Sequence, residues 1–195
     1  MKRYFLLIVV FTFCLALIGG TYAYDTVSSK AHNIITSGAV KIAVEEWQQT
    51  ADGIQPYPKE SIAVMPGREV SKIVKIKNLD KACFVRARME AVILDSEGNK
   101  TTLSQKEMEE LLQFDIQSDF WIRKASDPSW WYYYRVLSEE GITEPLFETV
   151  IFDGREMGNS YQGCTIQIHV MAQAVQSANN SAAVLSAVGW PENEE

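Results

Sequence analysis

The chain has 195 residues, with 18 Lys and Arg against 25 Asp and Glu and a net charge of −7. An acidic surface disfavours nucleic acid and anionic membrane surfaces as partners. The length suits one domain with a real core, and with three cysteines and no CxxC pair a disulfide framework or a structural zinc site is not expected.

Met1-Lys2-Arg3 is basic, Tyr4 to Ile18 is an almost unbroken apolar run, and Gly19-Gly20 leads into small residues around Ala23. This predicts a secretory signal over residues 1–23, cut between Ala23 and Tyr24. The alternative is an uncleaved anchor, for which the run is short of the roughly 20 residues a membrane helix needs. The residues before Cys14 (Phe11, Thr12 and Phe13) are not the small ones that lipid attachment requires. Removing Lys2 and Arg3 leaves 16 basic against 25 acidic residues, a net charge of −9.

Residues 24–38 form an N-terminal segment that is polar at first and turns apolar at Ile34-Ile35. Such a segment reads as an extended strand able to add to the sheet edge of a neighbouring copy through Val27, Ile34 and Ile35. It reads equally as a leader without structure, or as the first strand of its own domain.

From 39 to 176 most of the chain reads as strands. Val40, Ile42 and Val44 alternate with polar neighbours, a half-buried strand. Gln55-Pro56-Tyr57-Pro58 reads as a loop, because proline lacks an N–H for a ladder. Met65-Pro66-Gly67 is a turn, followed by one strand through Val70, Ile73, Val74 and Ile76, and a turn at Asn78-Leu79-Asp80. Cys83 to Leu94 is a long strand, with Cys83, Val85, Ala87 and Met89 on one face and Phe84, Arg86, Arg88 and Glu90 on the other.

Ser104 and Glu107 form a capping box, and Met108, Leu111 and Leu112 are the apolar stripe of a helix ending near Phe114. Strands are expected at Phe120 to Lys124, Trp130 to Leu137, Phe147 to Phe152 and Thr165 to Val175. A short helix over Ala182 to Val188 and an acidic end make up a tail, 177–195. About seven strands with one inserted helix predict an all-β fold, an antiparallel β-sandwich of jelly-roll or immunoglobulin-like kind.

Few residues carry the pattern of a catalyst. His32 and His169 are the two histidines, and no HExxH, GxSxG or phosphate-binding glycine loop occurs. No catalytic residue, metal ligand or cofactor site is therefore assigned, and the chain is read as no enzyme. The run Trp130-Trp131-Tyr132-Tyr133-Tyr134 splits over both faces of a strand. Trp130, Trp131 and Tyr133 are candidates for an exposed face that stacks on a matrix polysaccharide, unless a neighbouring loop or the helix covers them. Arg86 and Arg88 read as ion-pair partners or as an anion site. Cys83 and Cys164 each begin a long strand in phase with core residues, so a disulfide between them is open in an oxidising exterior.

Several segments in order resemble one family. Gly20-Thr21-Tyr22-Ala23-Tyr24 into Asp25-Thr26 resembles signals cut by the ER-type signal peptidase of Gram-positive bacteria. Asn33 to Ile42, Met65-Pro66-Gly67-Arg68, Lys72 to Asn78 and Phe84-Val85-Arg86-Ala87-Arg88 follow. Tyr132-Tyr133-Tyr134, Thr143 to Phe147 and Ala172 to Gln176 complete the order. Together they resemble the exported family of the biofilm-fibre protein TasA and of camelysin. The resemblance implies a jelly-roll-like sandwich, a secreted place at the cell surface or in the matrix of a Gram-positive bacterium, and self-association into a homopolymer. Camelysin is described as a metalloprotease, an activity not carried over to a chain that lacks the zinc motif. A secreted carbohydrate-binding module and a camelysin-like metalloprotease stand as the alternatives to a filament subunit.

Overall fold

The computed structural model describes residues 40–58, 66–158, 161 and 163–191. Among these are β1 (Ile42–Thr50), β2 (Gly53–Pro56), β3 (Glu69–Ser71), β4 (Ile73–Asn78), β5 (Cys83–Leu94) and β6 (Lys100–Thr102). The one α-helix among the described residues, α1 (Gln105–Leu111), follows, then β7 (Leu112–Phe114), β8 (Trp121–Lys124), β9 (Asp127–Tyr133), β10 (Thr149–Phe152) and β11 (Thr165–Gln176). One 3-10 turn, Val184–Ser186, comes after β11. The described chain is an antiparallel all-β sandwich with one helix, as expected.

One layer joins the ladders β2-β1-β4 and β3-β10-β7; the other runs β11-β5-β9-β8, with β6 beside the far end of β5. The main core lies between them. Ile42, Val44, Val74, Ile76 and Val150 from the first layer meet Val85, Ala87, Met89, Val170, Ala172 and Ala174 from the second. Each fully buried aliphatic side chain stabilises the fold by about 1.5–3 kcal/mol. The alternation read in Cys83 to Leu94 is the one observed: Cys83, Val85, Ala87 and Met89 face this core, while Phe84 joins a second, smaller one.

Several boundaries differ from the sequence reading. Gln55 and Pro56 belong to β2, paired with Gln48 and Trp47 in a hairpin whose two-residue loop is Ala51-Asp52. Gly53 there takes φ +107, a conformation that favours glycine. Pro56 is tolerated because it ends an edge strand. The strand expected through Val70 and Ile76 is broken at Lys72, where the chain crosses from one ladder to another. Lys72 is 4% exposed; its backbone N–H donates to the Glu148 carbonyl at 2.9 Å and its Nζ meets Glu46 at 2.8 Å, so the crossing is anchored on both sides.

The helix ends at Leu111, and Leu112 (φ −125, ψ 130) opens β7 instead of continuing to Phe114. β7 pairs with β10, a partner far away in sequence that helical periodicity cannot report. The aromatic strand is Asp127–Tyr133, displaced toward the N-terminus, and the terminal helix is reduced to Val184–Ser186.

Candidate functional site

The strand edges differ greatly in length. β3 and β7 are three residues each, and β2 and β8 four each. The outer side of β4 is occupied by residues 141–148: Thr143, Leu146 and Phe147 exchange backbone hydrogen bonds with Ile76 and Val74 at 2.8–3.0 Å. β11 stands at the end of the five-stranded order and runs for 12 residues, all twelve in register with β5. At about 3.3 Å per residue it is roughly 40 Å long, against about 13 Å for a four-residue edge, and Gln167 and His169 along it are engaged in contacts of their own. The docking segment expected at 24–38, with Val27, Ile34 and Ile35, and the cleavage pair Ala23 and Tyr24, lie outside the described residues, as does His32.

Of the aromatic run, Trp130, Tyr132 and Tyr133 are buried, Trp131 is half-buried and Tyr134 is exposed, so Trp130, Trp131 and Tyr133 do not form one exposed face. Alternation along β9 sends Trp130 and Tyr132 to one side of the sheet and Trp131 and Tyr133 to the other. Tyr133 is 1% exposed, its ring 5.3 Å from that of Trp121, and its hydroxyl donates to Glu144, which also accepts from Arg135 Nη2 at 2.5 Å. Burial acts to raise the Glu144 pKa, but the Tyr133 and Arg135 contacts outweigh it and hold the carboxyl below its usual range. Trp130 is 2% exposed in the second core, with Phe84, Tyr132 and Val175. The segment after β11 covers this core with Val184, Ala187, Leu185 and Trp190.

Arg86 is the centre of that core. It is 7% exposed, with its guanidinium carbon 4.2 Å from the Trp130 ring centroid and 4.8 Å from that of Trp190. Nε and Nη2 donate to Gln173 Oε1 at 2.9 and 2.7 Å, and Nη1 donates to Asp127 Oδ2 at 3.1 Å. The Tyr132 hydroxyl donates to the same Asp127 oxygen at 2.7 Å. Arg86 is thus an internally paired cation, the ion-pairing reading of the sequence. Arg88 pairs with Glu90 at 3.1 Å on the same face. Sequence reasoning found Arg86 and Trp130 but not Trp190 and Gln173, which join them only through tertiary contact.

Cys83 and Cys164 do not meet. β5 and β11 are antiparallel, with Cys83 opposite Gln176 and Thr165 opposite Leu94, so the two strand starts lie at opposite ends of one ladder. That is roughly 35–40 Å, far beyond the ~7 Å Cα reach of a disulfide. Both are buried, and burial pushes the Cys83 thiol up to about 12. Among the described residues no three His, Cys, Asp or Glu side chains gather as a metal site. His169 is half-buried on β11, in register with Glu90.

One concavity was not expected. Between α1 and the β8–β9 hairpin lies a groove of about 320 Å³. Its floor is Met89, Met108, Leu112, Phe114, Ile116 and Trp131. Gln105, Glu109, Gln113 and Arg123 form the rim. The Arg123 guanidinium lies 4.7 Å from the Trp131 ring centroid, and its Nη2 donates to Glu109 Oε1 at 2.7 Å. Comparison with known protein families, curated proteins and solved structures returned no match for this chain.

Proposed function

We propose that the chain is an exported, non-enzymatic structural subunit that assembles with copies of itself into cell-surface or matrix filaments of a Gram-positive bacterium. The observation that carries this reading is the contrast in length among the described strand edges: β2, β3, β6, β7 and β8 are three or four residues long, and β11 is twelve. Natural sandwiches blunt their edges with short strands and proline, as β2 does with Pro56. A strand laid beside β11 gains backbone hydrogen bonds along its length, and apolar side chains at alternate positions set its register. The strand that fills this place can come from the same chain or from a neighbour, and exchange between the two links subunits.

The linking strand in this reading is residues 25–38, released when the ER-type signal peptidase cuts near Ala23. The resemblance to the TasA and camelysin family supports it from the sequence side. The polysaccharide reading loses two of the three aromatics expected on one face, since Trp130 and Tyr133 are buried, and keeps the half-buried Trp131. The test is a synthetic peptide of residues 25–38 titrated into a chain beginning at Ala39. The expected result is saturable binding, weakened when Ile34 and Ile35 are changed to serine. A peptide that does not bind, or binds equally well without its isoleucines, contradicts the reading.

A further inference from the structure

The groove beside α1 has a rim and a floor of opposite character. Met89, Met108 and Leu112 are buried beneath it, and Phe114, Ile116 and Trp131 are half-buried. Above them, Glu109 Oε1 accepts from both Arg123 Nη2 and Gln105 Nε2, at 2.7 and 2.8 Å. Among the described residues this leaves Glu109 Oε2 and Arg123 Nε and Nη1 without protein partners. Gln113 is held from the far side, its Nε2 donating to Asp153 Oδ2 at 3.2 Å.

We infer that this groove is a binding site for a neutral saccharide ring. The choice follows from what each kind of occupant would leave unpaired. An apolar side chain would fill the floor but cover the open Glu109 and Arg123 atoms without replacing their hydrogen bonds to water, which is unfavourable. A sugar ring has C–H bonds for Phe114, Trp131 and the methionines, and vicinal hydroxyls. One hydroxyl can donate to Glu109 Oε2 while its neighbour accepts from Arg123. The stack on Trp131 and the bond to Glu109 already fix the guanidinium plane, so little side-chain freedom remains to be lost. Charge decides against an acidic sugar: the ion pair neutralises the rim, and the chain as a whole carries −7. The volume is at the small end for ligand sites, which suits one or two rings of a longer polymer. The inference is independent of self-assembly.

The experiment is titration of the exported chain with neutral tetrasaccharides of glucose, galactose and N-acetylglucosamine, and with a galacturonate tetramer, followed by tryptophan fluorescence and backbone amide shifts. At least one neutral probe is expected to bind with shifts at α1, β8 and Trp131. Arg123→Met and Glu109→Gln each weaken it about tenfold or more, the size expected for losing a hydrogen bond to a charged group. Glu110→Gln, on the same helix but outside the groove, leaves binding unchanged. All three positions are at the surface, and thermal melts confirm that each variant is folded. The inference is overturned if no neutral probe binds at about 10 mM, if only the galacturonate binds, if an uncharged apolar peptide takes the groove in place of every sugar, or if Arg123→Met and Glu109→Gln bind like the parent.

Discussion

Arg86 shows what a single side chain does here. Its guanidinium is stacked between Trp130 and Trp190 and donates to Gln173 and Asp127. Removing one partner of a buried ion pair typically costs about 3–5 kcal/mol; because the Asp127 side chain is one-third exposed, the lower end applies. Arg86→Ala is therefore expected to lower stability by about 3 kcal/mol in urea unfolding, and Arg86→Lys to recover little, since an ammonium cannot fork across Gln173 and stack on two indoles. A loss below about 1 kcal/mol for Arg86→Ala would show that the pairing is incidental. Cys83 gives a second prediction. Its folded pKa is raised by burial, from 9.0 to about 12. Stability from a raised pKa is complete below the unfolded value and declines as pH rises through the folded one. Unfolding should become easier from about pH 9 toward 12, and Cys83→Ala should flatten that part of the pH dependence. Tyr57, raised to about 12 mainly by burial and then by Glu46, adds to the same slope. Unfolding a chain that begins at Asp25 without reductant should release two titratable thiols, and a disulfide between Cys83 and Cys164 would release none.

At the scale of elements, α1 stands on its cap. Ser104 accepts from the Glu107 N–H at 3.3 Å, and Glu107 Oε2 accepts from the Ser104 N–H at 2.8 Å. Ser104→Ala is expected to cost about 1 kcal/mol and to loosen the groove that α1 borders, seen as faster amide exchange over residues 105–111. A variant with parent-like exchange there would show that tertiary packing of Met108 and Leu111 alone holds the helix. This box was legible in the sequence because all its partners lie within four residues. So was β5, whose twelve-residue alternation is a local pattern with a buried face. The break at Lys72, the strand at Leu112–Phe114 and the cover over Trp130 were not legible. Each is decided by a distant segment: Glu46 and Glu148 for Lys72, β10 for Leu112, Trp190 for Trp130. The aromatic run misled for the same reason. Alternation predicts that its rings split between faces, but what covers the second face comes from about 60 residues further along the chain. The cysteines misled because phase says which face a residue takes and nothing about which end of an antiparallel ladder it occupies.

At the scale of the molecule, the described sandwich keeps β2, β3, β7 and β8 to three or four residues, covers the outer side of β4 and places β11 at the end of the long sheet. The central claim is that residues 25–38 supply the strand that links one subunit to the next along that sheet. Electron microscopy of two chains side by side, one beginning at Asp25 and one at Ala39, tests it most directly. The account predicts filaments from the longer chain and folded single subunits from the shorter. Filaments of equal length and number from both would contradict it, and would move the link between subunits away from the N-terminal segment.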